Sequence, residues 1–158
     1  MYPTKPTRAV CIMLKGNKVL LMRRLKSGKE YWTFPGGGVN AGETIEQAVT
    51  REIQEETSMP TTIESLLYEH HYETSDQYYY LCKYISGKPI LGDAIEKALM
   101  KKSSSDIYDP KWVKINELKG LLLYPLEIRD WLIEDLSTGF KDEVRVANLK
   151  FSELRQSL

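Results

Sequence analysis

A layered α/β or α+β domain is predicted by three features of the chain. Short runs of β-branched and aromatic residues recur along it, two longer stretches repeat apolar residues at helical spacing, and turn-forming residues separate them. The 158 residues suffice to bury one core and are too few for two ordinary domains, and no internal repeat or linker divides them, so residues 1–158 are read as one domain.

Residues 9–14 and 19–22 are apolar and flank Lys15, Gly16, Asn17 and Lys18, which predicts a hairpin with positive φ at Gly16 and Asn17. Tyr31, Trp32, Thr33 and Phe34 alternate like a strand that stops at Pro35, and Gly36, Gly37 and Gly38 follow as a loop leading towards a helix. Thr44 and Gln47 stand at capping-box spacing, and Ile45, Ala48, Val49 and Ile53 mark the core face of that helix, which Ser58, Met59 and Pro60 close. Residues 63–72 and 78–85 are expected as paired strands about a turn at Thr74, Ser75 and Asp76. Residues 88–110 read as a long connection with a short helix at 94–100, and Trp112, Val113, Lys114 and Ile115 as a further strand. Leu126, Ile128, Trp131, Leu132 and Leu136 predict a second amphipathic helix after Pro125 and before Gly139, with residues 144–149 as an edge strand or tail.

Lys and Arg number 22 and Asp and Glu 22, so no long-range field gathers nucleic acid or an anionic membrane, and partners are recognised locally. The apolar run at 9–14 is too short for a secretory core, and no run is long enough to span a bilayer. Cys11 and Cys82 sit in apolar stretches as small buried thiols, which suits a reducing cytoplasm.

The first helix breaks local rules. At about 100° per residue, Glu52 and Glu56 lie on the face of Ile45 and Val49, with Glu55 beside them. Carboxylates three and four apart repel, by roughly 0.2–0.5 kcal/mol per exposed pair, and near a helix C-terminus they also oppose the macrodipole. Arg51 reaches Glu55 one turn on, yet one guanidinium does not neutralise three carboxylates. A divalent cation does, and hard oxygens on rigid helix spacing suit Mg²⁺ or Mn²⁺. The preceding Gly36, Gly37 and Gly38 allow close backbone approach by a ligand, although they match neither a Walker loop nor a dinucleotide fingerprint.

Gly37, Glu43, Arg51, Glu52, Ile53, Glu55, Glu56 and Met59 together resemble the Nudix box. One position departs: the closing glycine is Ser58, where a left-handed cap costs a non-glycine residue about 1–2 kcal/mol. The resemblance implies the family's α/β/α sandwich with a mixed sheet, and hydrolysis of a small-molecule nucleoside diphosphate derivative by attack of water at phosphorus. It implies Glu55 and Glu56 as metal ligands, Glu52 as ligand or general base, Gly37 as a carbonyl ligand, and Arg51 as the residue that orients a glutamate. It leaves Glu43 supporting this set or holding an additional metal.

Arg23 and Arg24, at the end of the second strand, are candidates for substrate phosphate, and Trp32, Tyr31 and the run Tyr78, Tyr79 and Tyr80 for stacking on a base, with core and cross-strand packing the ordinary alternative for these aromatics. His70 and His71 point to opposite faces of a strand and cannot share a metal. An acid or base outside the box is sought in the 88–110 connection, which carries Asp93, Glu96, Asp106 and Asp109, first at Glu96 and then at Asp106, with Asp109 setting a turn before Pro110 and four solvated loop charges as the alternative. The rival to an enzyme is a Nudix-fold module that senses a nucleotide without cleaving it. An RNA substrate is disfavoured by the balanced charge, the stretch after Met59 lacks the marks expected of ADP-ribose or dinucleoside polyphosphate members, and the resemblance leaves the oligomeric state open, with a homodimer one option.

Overall fold

The computed structural model describes residues 1–92 and 106–150. Its strands are β1 (Thr7–Lys15), β2 (Lys18–Lys26), β3 (Lys29–Thr33), β4 (Gly36–Gly38), β5 (Thr61–Tyr72), β6 (Asp76–Tyr84), β7 (Ile107–Lys114), β8 (Leu123–Tyr124) and β9 (Arg145–Leu149), with helices α1 (Ile45–Thr57) and α2 (Leu126–Thr138). A 3-10 helix, Ile115–Gly120, links β7 to β8. The strands form one mixed sheet in the order β8-β3-β2-β1-β6-β5-β9, with β4 added to β1 and β7 to β2.

Alternation along β1 divides the core into two layers. Ala9, Cys11 and Met13 face α1 and pack with Ile45, Ala48, Val49 and Ile53, while Val10 and Ile12 face α2 and pack with Ile128 and Leu132. This is the expected α/β/α sandwich. Both cysteines are buried and free, and burial followed by the neighbouring Cys82 pushes the Cys11 thiol up.

The hairpin between β1 and β2 forms with Leu14 opposite Val19 and Lys15 opposite Lys18. Positive φ is confined to Gly16, at 58°, because a two-residue turn that starts on glycine does not also require it at Asn17. Beyond that point β1 and β2 part company. β2 pairs with β3 and β7, and the freed edge of β1 takes β4, with Arg8, Ala9 and Val10 opposite Gly38, Gly37 and Gly36. The glycine run is therefore a strand, not the loop expected of it. Glycine is required there because a β-carbon on Gly36 would strike the Ala9 carbonyl oxygen.

α1 begins at Thr44 with the complete capping box: the Thr44 hydroxyl accepts from Gln47 N–H and the Gln47 side chain accepts from Thr44 N–H. β5 and β6 pair antiparallel, α2 starts after Pro125 and ends at Gly139, and residues 145–149 form an edge strand parallel to β5. β7 starts at Ile107, earlier than expected, so Asp109 and Pro110 lie within a strand and set no turn. Pro110 is tolerated there at the sheet's periphery.

On the α2 face His70 is fully buried, its Nε2 2.9 Å from Glu127 and its ring edge-on to Trp131. His71 instead contacts Asp76 and Glu69, as expected of the opposite face. Burial holds the His70 imidazole below its usual pKa, against the opposing pull of Glu127. The folded state therefore binds this proton less readily than the unfolded chain, whose histidine titrates near 6.5. We predict that stability is fully expressed above about pH 6.5 and declines as pH falls through the depressed folded value, by at most about 1.4 kcal/mol per pH unit from this group. Urea unfolding of the parent and His70→Phe between pH 7.5 and 5 checks this: the parent loses more stability than the variant, and equal losses remove His70 as the cause.

Candidate functional site

The acidic end of α1 lies against β4, and one guanidinium organises both. Arg51 donates from Nε to Glu43 Oε2 at 2.8 Å and from Nη2 to Glu43 Oε1 at 3.0 Å, a bidentate pair. The same Nη2 donates to the Gly38 carbonyl at 2.8 Å. Nη1 donates to Glu52 at 2.8 Å and Glu55 at 3.2 Å. Glu43 thus anchors Arg51: its bond, and then Glu52, raise the Arg51 pKa, while the guanidinium holds Glu43 below the usual carboxylate range.

Glu52 and Glu56 are set by β4 itself. A β-carbon on Gly37 would fall on the Glu52 carboxylate, so that carboxylate rests directly on the glycine backbone. The Gly36 N–H donates to Glu56 Oε2 at 3.1 Å. Burial raises the Glu52 pKa, opposed by Arg51. Burial and the charge of Glu52 push Glu56 up to about 8, against the Gly36 amide and the charges of Arg8 and Arg24. Glu56 is thus a poorly solvated carboxylate beside a second one, a condition a cation would relieve. Because Arg51 draws Glu52 and Glu55 towards itself, no three potential metal-binding side chains converge on one point among the described residues. The donor set is nevertheless hard oxygen, with Glu52, Glu55, Glu56 and the Gly37 carbonyl as the groups that could hold Mg²⁺ or Mn²⁺.

The macrodipole problem is solved by backbone rather than by basic side chains. Ile90 N–H donates to Thr57 C=O at 2.8 Å and Gly92 N–H to Glu55 C=O at 3.1 Å, so residues 90–92 cap the carbonyls beneath the carboxylates. Ser58 adopts the left-handed cap at φ 61°, ψ 16° despite not being glycine, and its hydroxyl donates to the Ile90 carbonyl at 2.8 Å.

A cavity of about 300 Å³ opens where β1 and β2 diverge, bounded by Arg8, Arg24, Tyr31, Gln77, Tyr79 and Tyr124. Arg8 and Arg24 act on Glu56 as well, so the cavity adjoins the carboxylates. Arg24 stacks on Tyr108, its Cζ 3.3 Å from the ring centroid, and lies 5.5 Å from Tyr31. Its Nε is buried without a partner among the described residues. Arg23, by contrast, pairs with Glu30 at 2.9 Å and is not among the lining residues. Trp32 packs against the α2-side core instead of the cavity, since its neighbour Tyr31 takes the inward position. Of the three consecutive tyrosines, Tyr78 and Tyr80 belong to the α1-side core and Tyr79 reaches the cavity. Arg8, Gln77, Tyr108 and Tyr124 were not foreseen, because no periodicity or motif marks them. Glu96 and Asp93 lie outside the described residues, Asp106 immediately precedes β7, and Asp109 is 3.4 Å from Lys111.

A sequence profile of the NUDIX domain matches residues 4–133. An ADP-ribose pyrophosphatase of Methanocaldococcus jannaschii is 47% identical over 57 residues, 35% of this chain and 34% of that protein. An RNA pyrophosphohydrolase of Pelagibacter ubique is 37% identical over 57 residues, 36% of each. The matched segment therefore spans about a third of the length of these curated relatives. A NUDIX hydrolase from Nitrosomonas europaea superposes with a TM-score of 0.69 at 20% identity, covering 94% of this chain and 82% of that one. An ADP-ribose pyrophosphatase from Streptococcus suis gives 0.66 at 15%, covering 91% and 100%. At these identities the structural likeness establishes the fold.

The Ser58 cap yields a prediction that separates backbone strain from its hydroxyl. Ser58→Ala keeps the left-handed residue and loses the bond to Ile90, whereas Ser58→Gly loses the bond and the strain together. The glycine variant should be the more stable of the two by about 1–2 kcal/mol. Denaturant midpoints measure the difference, and equal midpoints would show that the cap relaxes out of the left-handed region.

Proposed function

The chain belongs to the Nudix family, and from that premise we propose that it hydrolyses a diphosphate linkage in a nucleoside diphosphate derivative, with water attacking phosphorus. The supporting observation is the contact between the α1 carboxylates and the β4 backbone at the mouth of a cavity bearing Arg8 and Arg24. The two named relatives, an ADP-ribose pyrophosphatase and an RNA pyrophosphohydrolase, point to the same class of bond.

In this reading Glu52, Glu55, Glu56 and the Gly37 carbonyl hold Mg²⁺ or Mn²⁺, which when bound screens phosphate charge and lowers the proton affinity of water. Arg51, fixed by Glu43, stands in for part of that charge and keeps Glu52 and Glu55 on the β4 side of the helix. Arg8 and Arg24 carry phosphate charge on the cavity side, where the stack on Tyr108 holds the Arg24 guanidinium flat. The water oxygen bonds to phosphorus as the bridging P–O bond breaks, and the departing oxygen leaves on the second phosphoryl group. The water proton passes to a carboxylate, Glu52 or Glu96, the latter outside the described residues.

Glu55→Gln and Glu56→Gln are each expected to abolish Mg²⁺- or Mn²⁺-dependent turnover across nucleoside triphosphates, nucleotide sugars, ADP-ribose and dinucleoside polyphosphates. The fold stays intact, since each change also removes like-charge repulsion. Turnover within a few-fold of the parent would sink the assignment. Tight nucleotide binding by the parent with no turnover of any compound would favour the sensing module.

Hydrolysis in ¹⁸O-labelled water should place the label in a phosphate-bearing product. Label confined to a non-phosphate product would refute attack at phosphorus. A fall in kcat of at least tenfold in Glu96→Gln, about 1.4 kcal/mol of barrier, with metal binding unweakened assigns the base to Glu96, and an unchanged kcat in both Glu96→Gln and Asp106→Asn removes the 88–110 connection as its source.

A further inference from the structure

The cavity's hydrogen-bonding groups are biased towards donation, and this bears on which ring it takes. Arg8 and Arg24 are obligate donors, and no carboxylate is among the described residues that line it. Gln77 is the lining side chain with an amide, and its orientation is constrained. Tyr79 is buried, burial raises its pKa so that the hydroxyl keeps its proton, and that hydroxyl donates to Gln77 Oε1. A buried hydroxyl left without an acceptor is costly, so Gln77 keeps its oxygen on Tyr79 and turns its NH₂ outward as a donor. Hydroxyls of Tyr31, Tyr72, Tyr124 and Thr33 can give or accept, but among the described lining residues the side chains of fixed polarity all give. The volume of about 300 Å³ and the aromatic walls suit one planar ring, with Tyr31 and Tyr124 6.0 Å apart and tilted by 55°.

We propose that this cavity selects rings that present an exocyclic carbonyl, of the uracil and 6-oxopurine type, over their amino counterparts, with Gln77 reading the ring edge in an orientation set by Tyr79. The selection rests on the hydrolase reading for the placement of a nucleoside here, but it is a property of binding and is measured without turnover. A carbonyl oxygen accepts from Gln77 Nε2. An amino group at the same position sets donor against donor at Gln77. Gln77 and Tyr79 act at consecutive alternate positions of β6, and Arg8 is the cross-strand neighbour of Gln77, so the reading groups sit on rigid sheet rather than on loops.

Two matched pairs test this. Uracil and cytosine differ at the carbonyl and amino position and its ring neighbour, as do hypoxanthine and adenine. Calorimetric titration of the Mg²⁺-supplemented protein with UMP, CMP, IMP and AMP should give UMP at least tenfold tighter than CMP and IMP at least tenfold tighter than AMP. Tyr79→Phe frees the Gln77 amide to rotate and should bring both ratios below threefold. Gln77→Glu supplies a fixed acceptor and should invert them. Parent ratios below threefold, a preference for the amino rings, or no binding of any of the four overturns the proposal. So do ratios that Tyr79→Phe leaves unchanged. Selective binding without hydrolysis of any diphosphate supports the selection and overturns the hydrolase reading instead, which keeps the two failures distinct.

Discussion

Arg51 is the charge on which the arrangement of the site depends. Its five donors are spent on Glu43 before the helix, the Gly38 carbonyl on β4, and Glu52 and Glu55 on α1, so one side chain ties loop, strand and helix together. A lysine could neutralise as much charge but could not make the bidentate pair with Glu43 and still reach three other acceptors. The arrangement stops short of full compensation. Glu56 lies beyond the guanidinium, and burial followed by the charge of Glu52 raises its pKa at a point where substrate phosphate would only add negative charge. That imbalance, more than the mere presence of glutamates, is the physical case for a divalent cation.

The parting of β1 and β2 creates the space in which this chemistry is held. Where the two strands separate, β4 occupies the exposed edge of β1, and its lack of side chains lets α1 bring Glu52 and Glu56 onto backbone. The same divergence leaves the cavity on the other side of the gap. Carboxylates and cavity are therefore two consequences of one departure from regular strand pairing, and Arg8 and Arg24 lie between them. A continuous β1–β2 ladder would have closed both.

The rest of the fold serves to keep that gap rigid. The α1 face is anchored by Ile45, Ala48, Val49 and Ile53, all fully buried, so the acidic face of the helix cannot roll away from β4. Its C-terminal turn is held by Ile90 and Gly92 through backbone bonds and by Ser58 through its hydroxyl. On the opposite face, His70 with Glu127 and Tyr68 with Asp135 at 2.7 Å tie β5 to α2. The Tyr68–Asp135 bond is polar and buried and the His70–Glu127 contact partly so, which makes the registration of α2 specific rather than merely hydrophobic.

The sequence by itself determined what local periodicity and motif spacing can carry. It determined the hairpin at Gly16, the capping box at Thr44, the core stripe of α1, the helix after Pro125, and the acidic cluster on one helix face with Arg51 in reach of Glu55. Each follows from residues within a few positions of one another, where backbone geometry fixes the distance. Tertiary structure alone decided that Gly36–Gly38 pair as a strand, that Arg51 spends most of its donors on Glu43 and Gly38, and that Trp32 turns to the core while Tyr31 turns to the cavity. It also decided which residues line that cavity, since Arg8, Arg24, Gln77 and Tyr124 come from different strands far apart in the chain. No local signal marks such residues, because their only common property is the position at which the sheet brings them together.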